Sequence, residues 1–443
     1  MTFCKKLTKK LDVNIDLINN DLSFNDFNQN GVFVEVPDGK NPIKKVFELI
    51  KAKVILNRIY SKMLHKRRPP PLVKVVYGNG HRPIAIYDRG TQAENYANKY
   101  LLPSTGTIKR IIHKALGVHP SIAGFVVIPS QKYISFIDNV FEYLKFTADQ
   151  VNCASVLCID SSKDIYLIFD EHTYPRFALY AIEKNKIQEV VATRQLLSSL
   201  LNNVVSKSIG VIEHNNRSFF IEEGLTGQPW FQLKDSNGFN WSDIKSTAVS
   251  TLVDFHEVVR NETLWQKKLN IGDVFIEQYH QTLNMKNDYQ ITETVSNLVH
   301  ELHLELKKHP KVICYFQHGD FCINNLLFNE GIAHIIDWDE FGEVSMPLQD
   351  EFSLALSFYN LDNNSNIEQL YVELQICITK SEWLKSLTKE AVIALFLFHL
   401  LYRLGLWGSN PNRKGICDWL YTILIEFSEQ PSSFFDWLDV EKH

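Results

Sequence analysis

The order of short apolar runs in the middle of the chain constrains the fold more than any other feature. Three β-rich runs come first, then one stretch with apolar residues at helical spacing, then two more β-rich runs. These segments are 154–159, 165–169, 176–182, 187–201, 208–213 and 218–222. The remainder of the chain reads as mainly helical, so the order predicts an α+β fold with a β-rich part followed by a helical part.

Length and composition place the chain among ordinary globular proteins. Its 443 residues support two or three domains, and 45% hydrophobic with 22% charged residues exclude wholesale disorder. The richest apolar stretch, 392–398, is followed by His399 and Arg403, so it is too short to span a bilayer and predicts a buried helix. No transmembrane segment is therefore expected.

The N-terminus and the cysteines both favour a cytoplasmic location. Residues 1–6 lead into a charged stretch without an apolar signal segment or a small-residue cleavage site. Seven scattered cysteines form no Cys-x-x-Cys pair, a pattern that indicates reduced thiols rather than a disulfide framework or a zinc site.

The net charge of −5 conceals a strong division along the chain. Residues 1–135 hold 22 Lys and Arg against nine Asp and Glu, a net of +13, so residues 136–443 carry −18. Either the two parts dock on each other, or the basic part faces an anionic partner. We expect a basic α/β region here, with a helix at 43–64, an extended proline-rich connector at 66–71 and a strand at 72–77 followed by a turn at 78–80.

The residues that carry chemistry lie at 317–328 and 335–340. Asp320 and Asn325 fall on one loop, and Asp337 follows the next strand and a turn at 329–331. Three oxygen-bearing side chains would then converge, and hard oxygen donors suit Mg²⁺, which takes one or two carboxylates together with substrate phosphates. The remaining carboxylate could orient a hydroxyl group and accept its proton.

The sequence His318-Gly319-Asp320, with Asn325 five residues later and Ile336-Asp337-Trp338 beyond, resembles a known family. It is similar to the catalytic loop and metal motif of aminoglycoside phosphotransferases and choline-kinase-like enzymes, relatives of the protein kinases. The resemblance implies a two-lobed protein-kinase-like fold, with a small lobe of five strands and one helix. It also implies ATP and Mg²⁺ as cofactors, Asp320 as the catalytic base, and Asn325 and Asp337 as metal ligands.

Further segments extend the resemblance over about 150–420. Residues 345–350 look like a Gly-x-Pro-x-x-Asp segment with Ser345 in place of glycine, which implies that Asp350 is a buried acid bracing the catalytic loop. Residues 220–227 look like the hinge, which implies adenine contacts at Glu222, Glu223 and Leu225. The segment from Leu252 to His256 looks like a helix that ends in Leu-His. We therefore divide the chain into a basic N-terminal region at 1–135, a small lobe at 136–228 and a helical lobe at 229–443.

The small lobe departs from the family pattern at the third strand. Tyr180 or Ala181 stands where a lysine for the donor phosphates is expected, and its glutamate partner would fall near Thr193. A displaced cation could replace the lysine, and we assign Lys184 to this role. Lys186 and Arg194 are the other candidates, and the alternative is that these residues are solvated surface charges. The turn at 160–164 contains no glycine. Its residues fit a plain turn and a loop that covers a phosphate equally well.

The sequence thus predicts an ATP- and Mg²⁺-dependent phosphotransferase that acts on a hydroxyl of a small molecule, with a sugar or amino-sugar-like acceptor. The alternative is a pseudokinase-like regulatory or binding module without the Lys–Glu pair. The hypothesis of a nucleic-acid or membrane-surface binder rests on the +13 charge of residues 1–135 alone. The sequence contains no motif typical of a hydrolase or a P-loop protein. The acidic residues near the motif either attract a cationic acceptor or form a solvated face; they are Asp339, Glu340, Glu343 and Glu351.

Overall fold

The structure, a computed structural model, divides into two compact units. Unit 1 comprises residues 1–202 and 206–226, and unit 2 comprises residues 203–205 and 227–443. The residues that it describes are 31–34, 73–77, 83–88, 92–97, 124–127, 131–159, 165–201, 204–214, 216–234, 240–284, 289–308, 311–361 and 366–440.

Unit 1 is built on one antiparallel sheet with the strand order β1-β4-β2-β3-β5-β6-β7-β9-β8. Its strands are β1 (Gly31–Val34), β2 (Val73–Tyr77), β3 (Pro83–Asp88), β4 (Gly124–Val127), β5 (Ser155–Ile159), β6 (Ile165–Phe169), β7 (Phe177–Ile182), β8 (Ser208–His214) and β9 (Arg217–Glu223). Its helices are α1 (Gln92–Tyr96), α2 (Gln131–Tyr143), α3 (Ala148–Cys153) and α4 (Ile187–Leu200).

The five predicted strands and the helix between the third and fourth of them are confirmed as β5 to β9 and α4. The sheet continues beyond them, because β3 pairs with β5 over five residues, from Ile84 opposite Ile159 to Asp88 opposite Ser155. Backbone groups at an open sheet edge attract a further strand, and β3 fills that position. The strand expected at 72–77 is confirmed as β2.

Some expectations for the N-terminal region lie outside the described residues. These are the helix at 43–64, the connector at 66–71 and the turns at 78–80 and 160–164. Helix α2 begins at Gln131 and runs across the boundary that we placed between 135 and 136.

Side chains alternate between the two faces of the unit 1 sheet, as the two-residue period of a strand requires. One face packs Val156, Leu179 and Ile221 against Phe136 and Val140 of α2. The other face packs Leu157 and Phe169 against Ala93 of α1. Both faces of the β5 to β7 region are therefore covered.

Unit 2 is mainly helical and holds two small sheets. Its helices are α5 (Trp230–Leu233), α6 (Trp241–Asn261), α7 (Ile271–Asn284), α8 (Glu293–Leu306), α9 (Gln349–Leu361), α10 (Ile367–Ile378), α11 (Lys389–Trp407), α12 (Lys414–Glu429) and α13 (Trp437–Val440). Its strands are β10 (Gln228–Pro229), β11 (Gln266–Leu269), β12 (Val312–Tyr315), β13 (Leu326–Asn329) and β14 (Ile332–Ile335), paired in the orders β10-β13-β14 and β11-β12.

Helix α11 lies at the centre of the unit 2 core. Thr388 caps its N-terminus by accepting a hydrogen bond from the Ala391 backbone N–H, and nearly every side chain from Ala391 to Leu404 is buried. Within the part of the chain that the structure describes, α11 alone is long and apolar enough to cross a membrane, and most of it is buried in the unit. The predicted buried helix is confirmed.

The β13–β14 hairpin closes through the predicted turn at 329–331. Glu330 and Gly331 both have positive φ, at 47° and 83°, as a two-residue hairpin turn of the favoured hand requires. The hairpin holds the residues just before β13 and just after β14 at the same end.

Candidate active site

The loop between β12 and β13 turns sharply around Gly319 and Asp320. Gly319 has a φ of 90°, and a Cβ there would lie 2.6 Å from the Glu340 carbonyl oxygen, so the position requires glycine. The Cys322 N–H donates to the Asp320 carbonyl at 2.9 Å, and the Asn325 N–H donates to the Cys322 carbonyl at 2.9 Å. These bonds bring the side chains of Asp320 and Asn325 together.

Asn325 is held by Asp320 through its amide nitrogen. Asn325 Nδ2 donates to the Asp320 carbonyl at 2.9 Å and to Asp320 Oδ2 at 3.2 Å. Since an amide has one nitrogen and one oxygen, this arrangement leaves Asn325 Oδ1 as the atom that can bind a cation. Asp320 is partly exposed, with 26% of its side-chain surface accessible.

Asp337 lies beside this pair because of the hairpin register. Leu326 pairs with Ile335, and the Ile336 N–H donates to the Asn325 carbonyl at 3.0 Å, so Asp337 follows at the end of the hairpin that carries Asn325. Asp337 is exposed and has left-handed backbone angles, φ 61° and ψ 64°. Such a conformation is strained for a non-glycine residue and is concentrated at functional sites.

The oxygen donors at this end of the hairpin fit Mg²⁺. One carboxylate and one amide oxygen match an ion that prefers oxygen ligands and keeps room for phosphates and water. Among the residues that the structure describes, no group of three His, Cys, Asp or Glu side chains forms a closed metal cage. Such a donor set could hold a cation only together with other ligands, such as water or phosphate. The assignments of Asp320, Asn325 and Asp337 stay predictions.

Asp350 braces the loop as the sequence predicts. Its side chain is fully buried, and it accepts hydrogen bonds from the His318 N–H at 2.7 Å and the Gly319 N–H at 2.9 Å. Burial alone would raise the pKa of Asp350, but the hydrogen bond and charge of His256 hold that pKa below its usual value. A buried carboxylate with these partners fixes the start of the loop that carries Asp320.

His256, at the end of the Leu252 to His256 segment, completes this brace. Its Nε2 lies 3.1 Å from Asp350 Oδ2, and its Nδ1 lies 3.4 Å from Glu351 Oε1. Burial works against the charged imidazole, but the two carboxylates raise the pKa of His256 to about 9. The histidine is therefore an imidazolium at neutral pH, with a structural role in the core.

Arg403 of α11 is a site residue that the motifs do not reveal. It is buried, and it donates from Nη1 to Glu340 Oε2 at 2.9 Å, from Nη2 to Ser353 Oγ at 3.1 Å, and from Nη2 to the Gly319 carbonyl. Its Nη2 also lies 3.5 Å from Asp320 Oδ1. The sequence gives one signal for this residue, a single arginine within an apolar helix. Because a buried guanidinium needs anionic partners, such an arginine indicates that acidic groups lie nearby.

The expectation for the acidic residues near the motif is wrong for Glu351. Glu351 is buried and bonds to Ser381 Oγ at 2.6 Å, because it belongs to the core network of His256 rather than to an acceptor surface. Glu340 is paired with Arg403. Burial raises the pKa of Glu340, Arg403 opposes that change, and the negative charge of Asp320 adds to it. Asp339 and Glu343 are exposed, as a solvated face requires.

The predicted adenine-contact residues lie at the end of β9 in unit 1. The Glu223 N–H donates to the Lys207 carbonyl at 2.9 Å, and the Gly224 N–H donates to the Arg176 carbonyl at 2.8 Å, so both groups are engaged within the unit. The Glu222 side chain is buried. Contacts of Glu222, Glu223 and Leu225 with a nucleotide stay predictions.

The third strand carries a tyrosine where the family carries a lysine. Tyr180 lies on the same face of the sheet as Glu222, and its hydroxyl donates to Glu222 Oε1 at 2.9 Å. Ala181 lies on the opposite face of the sheet and packs against the core that contains Phe136 and Val140 of α2. Ala181 is therefore not the position that corresponds to the family's lysine. Lys184 is exposed on a 3₁₀ turn at Lys184–Lys186, and its role stays a prediction.

Two observations together decide the fold class. Unit 1 contains five antiparallel strands with one helix between the third and fourth, and unit 2 is a helical body that carries a His-Gly-Asp loop braced by a buried aspartate. The fold is protein-kinase-like.

Comparison with known proteins gives structural matches only. No protein-family model and no curated protein matches the sequence. Among solved structures, the chain is similar to a thermostable mutant of aminoglycoside phosphotransferase APH(4)-Ia, with 15% identity, a TM-score of 0.44, and coverage of 66% of this chain and 98% of the other. It is also similar to choline kinase from Cryptosporidium parvum Iowa II, with 12% identity, a TM-score of 0.45, and coverage of 69% and 99%. Ethanolamine kinase from Plasmodium vivax matches with 12% identity, a TM-score of 0.40, and coverage of 69% and 90%.

Proposed function

We propose that this protein is a phosphotransferase that moves the terminal phosphoryl group of ATP, with Mg²⁺, to a hydroxyl of a small molecule. The observation that carries the proposal is the pairing of Asp320 with Asn325 beside a left-handed Asp337. These are the residue types that phosphoryl transfer needs: a base for the hydroxyl and oxygen ligands for the metal.

Asp320 acts as the base in this mechanism. As the acceptor oxygen forms its bond to the terminal phosphorus, the bond from that phosphorus to the bridging oxygen breaks, ADP leaves, and the hydroxyl proton passes to Asp320. Asn325 holds the Asp320 carboxylate from one side, and Arg403 lies 3.5 Å away on another, so the base is fixed before the acceptor binds.

The metal chemistry falls to Asn325 and Asp337. Asn325 Oδ1 and the Asp337 carboxylate would hold Mg²⁺, which would neutralise charge on the donor phosphates when bound. Because the Asn325 amide nitrogen bonds to Asp320, a change in the metal ligand also moves the base.

An acceptor panel with matched variants tests the proposal. Purified full-length protein would be assayed for ADP release with amino sugars, neutral sugars and amino alcohols. A positioned base typically contributes about 10²–10⁴-fold in rate, so we expect Asp320→Asn to lower turnover by that factor while Mg·ATP still binds. Asp254→Asn, which changes an exposed carboxylate on α6, is the control and should retain turnover. An Asp320→Asn protein that keeps most of its activity would refute the mechanism.

One observation favours a second function, a pseudokinase-like binding module. Tyr180 occupies the strand position of the usual lysine and cannot carry its charge. If the wild-type protein binds Mg·ATP but no acceptor in the panel stimulates ADP release, the regulatory function takes first place. A sugar or amino-sugar-like acceptor, a cytoplasmic location, and an anionic or intramolecular partner for residues 1–135 remain parts of the proposal. Among the described residues, the cysteines are free thiols, which supports the location.

A further inference from the structure

Three polar side chains form a cluster on the α4 face of the unit 1 sheet. Ala178 pairs with Glu222 and Tyr180 pairs with Phe220, so Tyr180 and Glu222 are diagonal neighbours on one face. Glu222 Oε1 accepts from the Tyr180 hydroxyl at 2.9 Å, and Glu222 Oε2 lies 3.7 Å from Nη2 of Arg194 on α4. We call Tyr180, Arg194 and Glu222 the β7–α4 cluster.

The ion pair of this cluster is largely removed from water. Only 12% of the Arg194 side chain and 7% of the Glu222 side chain are exposed. A buried ion pair often contributes little net stability, because desolvation opposes the attraction between the charges, and apolar replacements are frequently neutral. The stability of unit 1 is therefore not a sufficient explanation for this ion pair. Contact with a ligand is the other explanation to consider.

The cluster has the charges of a kinase Lys–Glu pair in exchanged positions. In the kinase template a lysine on the third strand pairs with a glutamate on the following helix, and the lysine contacts the donor phosphates. Here the helix carries the cation, Arg194, and a strand carries the anion, Glu222. Tyr180 occupies the third strand and bonds to that anion.

We propose that Arg194 contacts the donor phosphates of the nucleotide, with Glu222 and Tyr180 as its positioning residues. The inference rests on the proposed function, since it takes ATP as the ligand. A guanidinium has five N–H donors in a planar fork, so it can pair with one carboxylate and still bind a phosphate with two parallel bonds. Arg194 is held in place before binding, whereas Lys184 and Lys186 are exposed on a turn.

Equilibrium binding with purified full-length protein tests this assignment. The affinities of Mg·ATP and of adenosine would be measured by calorimetry for the wild type and each variant. A charge-assisted phosphate contact is worth about 10–100-fold in affinity, so Arg194→Met should weaken Mg·ATP by that factor and leave adenosine within about twofold. Arg194→Lys should recover only part of the ATP affinity, because it keeps the charge but loses the two parallel N–H bonds of the guanidinium. Lys145→Met removes an exposed charge elsewhere in unit 1 and is the matched control.

A second variant guards against a folding defect. Arg194→Met leaves Glu222 buried without its cation, so Arg194→Met with Glu222→Gln removes both charges, and its melting temperature would be compared with that of the wild type. We expect this double variant to melt like the wild type and still bind ATP weakly. Tyr180→Lys added to Arg194→Met places a cation on the strand, at the residue whose hydroxyl now contacts Glu222, and should restore ATP affinity.

The outcomes separate this inference from the proposed function. A wild-type protein that binds both ligands, with unchanged ATP affinity in the double variant, overturns the role of Arg194 and leaves the phosphotransferase intact. Equal losses of ATP and adenosine affinity also overturn it, since they report damage to the unit rather than a lost phosphate contact. A wild-type protein that binds neither ligand overturns both proposals.

Discussion

Replacing Asp350 with asparagine tests how much the contacts of this buried carboxylate with the Asp320 loop contribute to stability. The carboxylate accepts from two backbone N–H groups and faces the His256 imidazolium at 3.1 Å. An asparagine amide keeps one oxygen acceptor but places an NH₂ group against a donor or a cation. We expect Asp350→Asn to destabilise unit 2 and to disturb the loop that carries Asp320.

The magnitude follows from the burial and charges of the pair. Burial opposes the imidazolium, but Glu351 and Asp350 together change the pKa of His256 from 6.5 to about 9, a net preference of roughly 3 kcal/mol for the charged form. Breaking one partner of a buried pair typically costs about 3–5 kcal/mol, which agrees with this figure. At about 2–4 °C per kcal/mol for a body of 150–250 residues, the melting temperature should fall by roughly 6–20 °C.

Differential scanning calorimetry at pH 7 measures this fall, with urea unfolding as a second probe. Asp339→Asn is the matched control: it makes the same chemical change at an exposed position and should melt within about 1 °C of the wild type. A decrease of less than about 2 °C for Asp350→Asn would show that the buried contacts do not stabilise the loop as argued.

Three further predictions concern the metal, the loop backbone and pH. Asp337→Ala should weaken nucleotide binding in the presence of Mg²⁺ by at least about tenfold and leave Mg²⁺-free binding unchanged by calorimetry; an equal loss in both conditions would contradict the metal assignment. Gly319→Ala should lower the melting temperature more than Gly331→Ala, since both positions have positive φ but only Gly319 would place a Cβ against Glu340; similar losses would mean that the crowding at Gly319 is unimportant. Because the pKa of His256 is raised from 6.5 to about 9, its stabilisation is fully present below pH 6.5 and is lost as pH rises through 9. Melting temperatures from pH 6 to 10 should therefore fall more steeply for the wild type than for Asp350→Asn, and parallel curves would exclude this histidine as the cause.

Features encoded by local pattern could be predicted from the sequence. Strands β5 to β9 and helix α4 show the periods of their structures, and the turn residues between them mark the ends. The role of Asp350 was also predictable, through the resemblance of residues 345–350 to a known Gly-x-Pro-x-x-Asp segment.

Features that depend on distant partners could not be predicted in this way. Arg403 lies 84 positions after Gly319, and no local pattern connects a helix residue to a loop that far away. Arg194 and Glu222 likewise meet only when α4 packs on the sheet. The pairing of β3 with β5 requires a register between two segments that look like ordinary strands.

The contact of Arg403 with the Gly319 carbonyl can form only late in the synthesis of the chain. The catalytic loop leaves the ribosome before the helix that supplies its cation, and 84 residues separate the two partners. At about 5–20 residues per second, that interval lasts roughly 4–17 s. During it, the nascent loop holds Asp320 and Glu340 without their guanidinium. A chain that stops before α11 would thus contain the whole motif but lack the guanidinium that contacts Glu340 and the Gly319 carbonyl.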